Sequence, residues 1–198
     1  MNTDRRSFLV SCGPALGAGW LTLHWPGIAA AASHAHEIAS NDAAARKLTG
    51  LTAEQGRDIE SISAQIIPTD DTPGAREAGV VYFIDRSLLG FFAAHRHDFL
   101  ADYADFAAGV QQAAPGSHFA DFTGARQIQY LREIERTRFF STVRLLTIVG
   151  FLASPGYGGN RDGIGWQTIG FVDEHVFSPP FGYYDRDYAG FVPYENKR

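Results

Sequence analysis

Residues 137–153 set the terms for the fold. From Val143 to Leu152 the stretch is apolar on every side apart from Arg144 and Thr147, and Pro155 follows just behind it. A helix that is apolar all round has no wet face, so other elements must surround it. It is too short and too interrupted to span a bilayer of roughly 30 Å, so the cover has to be protein. The neighbours that the sequence offers are helical as well. Thr52-x-x-Gln55 is a capping box ahead of Ile59, Ile62, Ile66 and Ile67, with Pro68 as the stop. After a turn at Thr69-Asp70-Asp71, Thr72 reads as an N-cap and Pro73 as the first position of a second helix, running through Val80–Ile84 to about Leu89. Phe99, Leu100, Tyr103, Phe106, Ala107 and Val110 mark a third, with Asp98, Asp102 and Asp105 opposite and Pro115-Gly116 at its end. Ile128, Leu131 and Ile134 mark a fourth, with Arg132, Glu133, Glu135 and Arg136 on its wet side. No segment alternates as a strand does, and no internal repeat is visible. The expectation is an all-α domain of about five helices over residues 51–155, preceded by a polar, alanine-rich linker at 33–50.

Beyond Pro155 the texture changes. Residues 156–198 hold 10 of the 26 aromatic side chains together with eight glycines and three prolines, so a regular element there is not expected. Such a tail cannot bury its rings against itself. It must pack on the helical domain or on another protein, and the sequence leaves both open.

The first 32 residues have the layout of an export signal: Arg5 and Arg6 at the start, a soft apolar stretch from Phe8 to Leu23, and Ala29–Ala32 with cleavage sites after Ala31 or Ala32. Arg5-Arg6-Ser7-Phe8-Leu9 resembles the core of the twin-arginine motif, while Asp4 and Val10 depart from its flanks. Gly13, Pro14, Gly17 and Gly19 make the stretch less apolar than a general secretory signal or a membrane anchor, the two competing readings. The twin-arginine route carries folded cargo, and the periplasm is its destination.

Composition removes several kinds of chemistry. The net charge is −5 with no basic block outside the N-terminus, which argues against a nucleic-acid partner. The single cysteine, Cys12, falls within the expected leader, so the remainder has no disulfide, thiolate metal site or catalytic thiol. His95 and His97, two apart on a helix, point about 200° away from each other and do not converge on a metal. His118 and His175 have no recognisable ligand set, and no G-x-S-x-G nucleophile elbow occurs. Asp70 and Asp71 read as turn and capping groups. Gly156-Tyr157-Gly158-Gly159-Asn160-Arg161-Asp162-Gly163 lacks the third glycine of a dinucleotide loop at position 161 and lacks the Lys-Ser/Thr of a P-loop. It reads as a tight turn in which Arg161 contacts Asp162 or a backbone carbonyl. No catalytic, metal-binding or cofactor-binding residue is assigned.

Three segments read together carry a resemblance: Arg5-Arg6-Ser7-Phe8-Leu9, the stretch from Ile66 through Pro68-Thr69-Asp70-Asp71-Thr72-Pro73-Gly74-Ala75 to Val80, and Gly156 through Trp166. The chain resembles the small (gamma, subunit 3) component of the gluconate 2-dehydrogenase family, which includes small subunits of bacterial FAD-dependent glucose dehydrogenases. The resemblance spans about Leu51 to Tyr188. It implies a periplasmic complex in which a large flavoprotein holds FAD and oxidises a sugar or sugar acid. A multihaem cytochrome c subunit with haem c passes electrons to quinone. The small chain is then a non-catalytic accessory that supports folding of the flavoprotein and its export through the twin-arginine translocase. On this reading Tyr157, Arg161, Asp162 and Trp166 are contact or scaffold residues, and Pro68, Asp70, Pro73 and Gly74 shape a surface turn. The alternative is a stand-alone periplasmic interaction or binding protein of the same fold.

Overall fold

The computed structural model describes residues 47–173, which form six α-helices and no strand. They are α1 (Ala53–Ile66), α2 (Val80–Ser87), α3 (Arg96–Ala113), α4 (Gly124–Glu133), α5 (Arg138–Leu152) and α6 (Ile164–Ile169), with short 3-10 turns between several of them. The leader residues Arg5, Arg6, Phe8 and Leu9, the linker up to position 46 and the tail aromatics from Phe177 to Tyr194 lie outside the described residues. Among the described residues no helix is long and apolar enough to cross a membrane.

The all-apolar run is the central helix. Thr137 caps α5 by accepting from the Phe140 amide, and the helix packs against α1, α2, α3 and the short α6. Phe139, Val143, Leu146, Ile148 and Phe151 are buried along it. The polar Thr147 is fully buried too, and its hydroxyl meets that of Ser63 on α1 at 3.0 Å, so neither is left unpaired. Aromatic side chains close the α3 side. The Phe106 ring lies 4.9 Å from that of Phe139, 5.5 Å from Phe119 and 5.7 Å from Tyr130, separations at which tilted rings attract.

Two buried carboxylates tie the helices and their connections together. Asp58 of α1 accepts from the Tyr103 hydroxyl at 2.9 Å and from the Ala120 amide at 2.9 Å, linking α1 to α3 and to the turn before α4. Burial, and then the neighbouring Asp58, push the Tyr103 phenol far above its ordinary range. Asp85 of α2 is fully buried and gathers the Thr49 amide and hydroxyl and the Gly50 and Leu51 amides at 2.7–3.1 Å. Three successive N–H groups converging on one carboxylate form an anion nest. Arg96 donates to the Gly50 carbonyl at 2.9 Å from the other side. The linker was expected to run loose to Gly50; Thr49 and Gly50 belong instead to the folded domain.

Three further expectations are corrected. The second helix does not start at Thr72-Pro73. Thr72 directs both its amide and its hydroxyl to Asp70 Oδ1, and Gly79 (φ 66°) interposes a left-handed residue, so α2 begins only at Val80. On α4 the apolar spacing placed Ile128 inside, yet it is 43% exposed. Gln127 takes the inner position because its amide donates to the Phe119 carbonyl and accepts from Gln65. The segment after Pro155, expected to be irregular, contains α6. Left-handed residues at both of its ends, Gly163 and Gly170, let a six-residue helix fit between turns.

Replacing Asp85 strands the buried amides of Gly50 and Leu51 and removes the partner of Thr49. The variant Asp85→Ala should lose at least about 3 kcal/mol of stability, and Asp85→Asn, which keeps one acceptor oxygen, should lose less. Urea unfolding midpoints of the two variants against the parent test this ordering.

Candidate functional site

The residues singled out by the sequence lie in two loops, and the structure brings the loops together. The first, between α1 and α2, folds back on the end of α1. The Ala75 amide donates to the Ile67 carbonyl at 2.9 Å, and Glu77 accepts from the Gly74 amide (2.8 Å) and the Thr69 hydroxyl (2.7 Å). Gly74 is required by space, since a Cβ there would stand 2.5 Å from the Ile67 carbonyl oxygen and 2.7 Å from the Thr69 nitrogen. Pro68, Asp70 and Pro73 are exposed on the rim of this turn, and Gly74 is buried beneath it.

The second loop closes the C-terminal end of α5. The last turn of a helix leaves carbonyls without internal partners, and here the second loop takes two of them. Asn160, fully buried, donates to the Ala153 carbonyl at 2.8 Å and accepts from the Gly165 amide at 2.7 Å. Trp166 donates its indole N–H to the Leu152 carbonyl at 2.8 Å. A Cβ at Gly159 would collide with the Gly150 carbonyl, and one at Gly165 with the Phe151 carbonyl. Gly158, Asn160, Asp162 and Gly163 all have positive φ, which makes the loop a chain of tight turns. Its glycines and its asparagine serve the end of α5.

Where the loops meet, the Arg161 amide donates to the Ala78 carbonyl at 3.0 Å. The Arg161 guanidinium lies 5.8 Å from the centre of the Tyr82 ring, a cation–π geometry. It also fills the space beside Gly79, where a Cβ would stand 2.8 Å from Nη2. Of the two contacts expected of Arg161, the one with Asp162 does not form, and the backbone carbonyl it meets is that of Ala78, through its amide. Asp162 is exposed, and its carbonyl accepts from Gln167. Tyr157 is partly buried and packs against the core. The eight candidate residues thus divide: Arg161 joins the loops, Trp166 closes α5, Gly74 permits the first turn, Tyr157 packs on the core, and Pro68, Asp70, Pro73 and Asp162 face solvent.

A concavity of about 110 Å³ lies at the N-terminal ends of α3 and α5 among Phe92, His95, Asp98, Phe99, Asp102 and Arg138. That is well under the roughly 300 Å³ of an ordinary ligand pocket. Arg138 occupies it with a bidentate pair to Asp102 at 2.7 Å. Among the described residues no three His, Cys, Asp or Glu side chains gather as metal ligands.

The family model described as Gluconate 2-dehydrogenase subunit 3 matches residues 53–173, a span that starts with α1 and includes both loops. The chain belongs to the gluconate 2-dehydrogenase subunit 3 family. No curated protein and no solved structure gives a significant match. For this family member the sequence reading missed Asn160, Tyr82 and Asp85. The signal for Asp85 was present: a lone carboxylate inside Val80-Val81-Tyr82-Phe83-Ile84-Asp85 has to find donors or stay out of the core. Asn160 carried a signal too, as a residue that tolerates left-handed backbone among glycines.

Two measurements probe these loops. Trp166→Phe keeps an aromatic ring and loses the indole donor, which should cost about 1 kcal/mol, whereas Asn160→Ala orphans a half-buried carbonyl and a buried amide and should cost about 2–4 kcal/mol in chemical unfolding. Hydrogen bonding from Thr69 holds the Glu77 carboxyl below its ordinary value, against the opposing effect of partial burial. A depressed carboxyl stabilises the fold above the unfolded pKa, about 4.3, and that contribution disappears as pH falls through the lower folded value. The first loop should therefore hold from neutrality down to about pH 5 and loosen below about pH 4. Glu77→Gln should flatten this acid limb in a pH series of amide exchange at Gly74.

Proposed function

We propose that the chain is the non-catalytic small subunit of a periplasmic, FAD-dependent dehydrogenase of the gluconate 2-dehydrogenase type, and that it supports the folding and twin-arginine export of the flavoprotein subunit. The observation that carries this reading is the match to the subunit family across residues 53–173. A subunit of a dehydrogenase implies a catalytic partner. In this reading FAD resides in that partner and haem c in a cytochrome subunit.

Two features support the accessory role. Arg5-Arg6-Ser7-Phe8-Leu9 resembles a signal for folded cargo, and a chain whose sequence assigns it no cofactor residue gains little from that route unless a partner travels with it. The second is the use made of the loops: Asn160, Trp166, Gly159 and Gly165 are committed to closing α5, which fits a scaffold that presents a rigid surface. Stable complexes bury upwards of about 1,200 Å² in total, an area within reach of one face of a helical domain this size.

Affinity purification of the tagged chain from periplasm and membranes, with flavin spectra and mass spectrometry, tests the proposal. A large flavoprotein should co-purify with the parent chain, and in Arg5→Lys/Arg6→Lys that flavoprotein should fail to reach the periplasm. A chain that arrives alone, colourless and monomeric would remove the basis for the dehydrogenase complex.

A further inference from the structure

We propose that Arg161, seated on Tyr82 where the two loops meet, is the cationic anchor of the surface that docks the flavoprotein subunit, and that it receives an Asp or Glu carboxylate of that subunit. This rests on the small-subunit reading and names the place on the chain where that contact is made.

The argument starts from what Arg161 lacks. A guanidinium carries five N–H donors and stays charged at every relevant pH. Arg161 is partly buried, and among the described residues its side chain makes no hydrogen bond and no ion pair. Its contacts are the Tyr82 ring and the wall at Gly79. Arg126 makes the informative comparison. It sits closer to a ring, 4.1 Å from the centre of Phe122, and still directs Nη2 to the Ala113 carbonyl at 2.8 Å. Arg96 likewise reaches the Gly50 carbonyl, and Arg138 grips Asp102 at 2.7 Å with both ends of its fork. Arg161 has the aromatic seat without the acceptor.

The seat is held from several directions. The backbone of Arg161 is fixed by the Ala78 carbonyl, its neighbour Asn160 is bonded to α5, and Tyr82 stands on α2. A guanidinium on a fixed backbone, lodged between a ring edge and the Gly79 wall, gives up less freedom on binding than one on a free stem, which favours recognition of a carboxylate. Tyr82 and Arg86 follow at helical spacing along one face of α2, with Arg86 against Gly158, and Leu89, just past the helix end, is 50% exposed. An arginine beside aromatic and apolar groups is the composition of an interface anchor. On a chain of net −5, a cation presented without a counter-charge among the described residues is a local exception, and the group it is complementary to is a carboxylate.

The test uses the full chain co-expressed with its flavoprotein, comparing Arg161→Glu, Arg161→Met and the control Arg132→Glu, an exposed site on α4 with the same charge change as the first. Thermal melts of each purified chain establish folding, and Arg161→Met keeps the apolar stem over Tyr82 where Arg161→Glu fails to fold. Flavoprotein retained on the tagged chain should fall at least tenfold in Arg161→Glu and severalfold in Arg161→Met, and stay at the parent level in Arg132→Glu. Raising salt from 50 to 500 mM should weaken the parent complex and have a smaller effect on Arg161→Met. Unchanged retention in folded Arg161→Glu overturns the proposal while leaving the subunit reading intact. Arg161-dependent binding to anionic-lipid vesicles or Arg161-dependent self-association, with flavoprotein retention unaffected, overturns it in favour of those occupants. A parent chain that retains no flavoprotein overturns the subunit reading itself, and this anchor with it.

Discussion

A central helix must end somewhere, and its last carbonyls end half-buried beneath a returning loop. Most of the second loop's composition follows from that constraint. Leu152 and Ala153 offer carbonyls that the surrounding helices cannot satisfy, and the chain returns at once to satisfy them with Trp166 and Asn160. To come that close it must run without side chains at Gly159 and Gly165, and it must turn through left-handed residues at Gly158, Asn160, Asp162 and Gly163. A glycine-rich stretch that looks from the sequence like a cradle for phosphate is here a cradle for a helix terminus. The physical demand is similar in both cases: backbone approaching a polar group closely, with no Cβ in the way.

The same geometry separates structural from presented residues. Asn160 and Trp166 point inward, so substitutions there act on stability first and on any partner only through it. Arg161, between them in sequence, points to the junction with Tyr82 and Gly79 instead. One loop thus performs two tasks with alternating residues, and a survey of variants across it separates them: losses that track unfolding belong to the first group, losses at constant stability to the second.

How much was legible in the sequence depends on how local the deciding interaction is. The capping box at Thr52 and Gln55, the α3 face of Phe99, Tyr103, Phe106 and Val110, and the boundaries of α5 were readable because spacing and caps decide them within a turn or two. The start of α2 was not, because Thr72-Pro73 is a sound helix start on local rules and is overridden by the Asp70 turn and by Gly79. Gln127 displaced Ile128 from the inner face of α4 through partners 8 and 62 positions away in sequence, beyond any periodicity argument. For the candidate site, the two loops were identified from the sequence as motifs. Their meeting at Ala78 and Arg161, and the role of Tyr82, required the third dimension.

Helix α2 shows why these parts rise and fall together. Eight residues are too few for a helix that stands alone, since isolated helices under about 12–15 residues are marginal in water. Its stability therefore comes from what it touches. Asp85 holds the Thr49–Leu51 strap on one side, Phe83 lies against the positions of Gly150 and Gly159 on another, and Tyr82 carries Arg161 on the outer face. Release of the strap removes the partners of a buried carboxylate and disfavours the helix. Loss of the helix removes the wall against which the second loop is pressed. The Tyr82–Arg161 surface consequently exists only when α2, the strap and the end of α5 are all assembled. A partner that recognises this surface also recognises that the domain around it is folded.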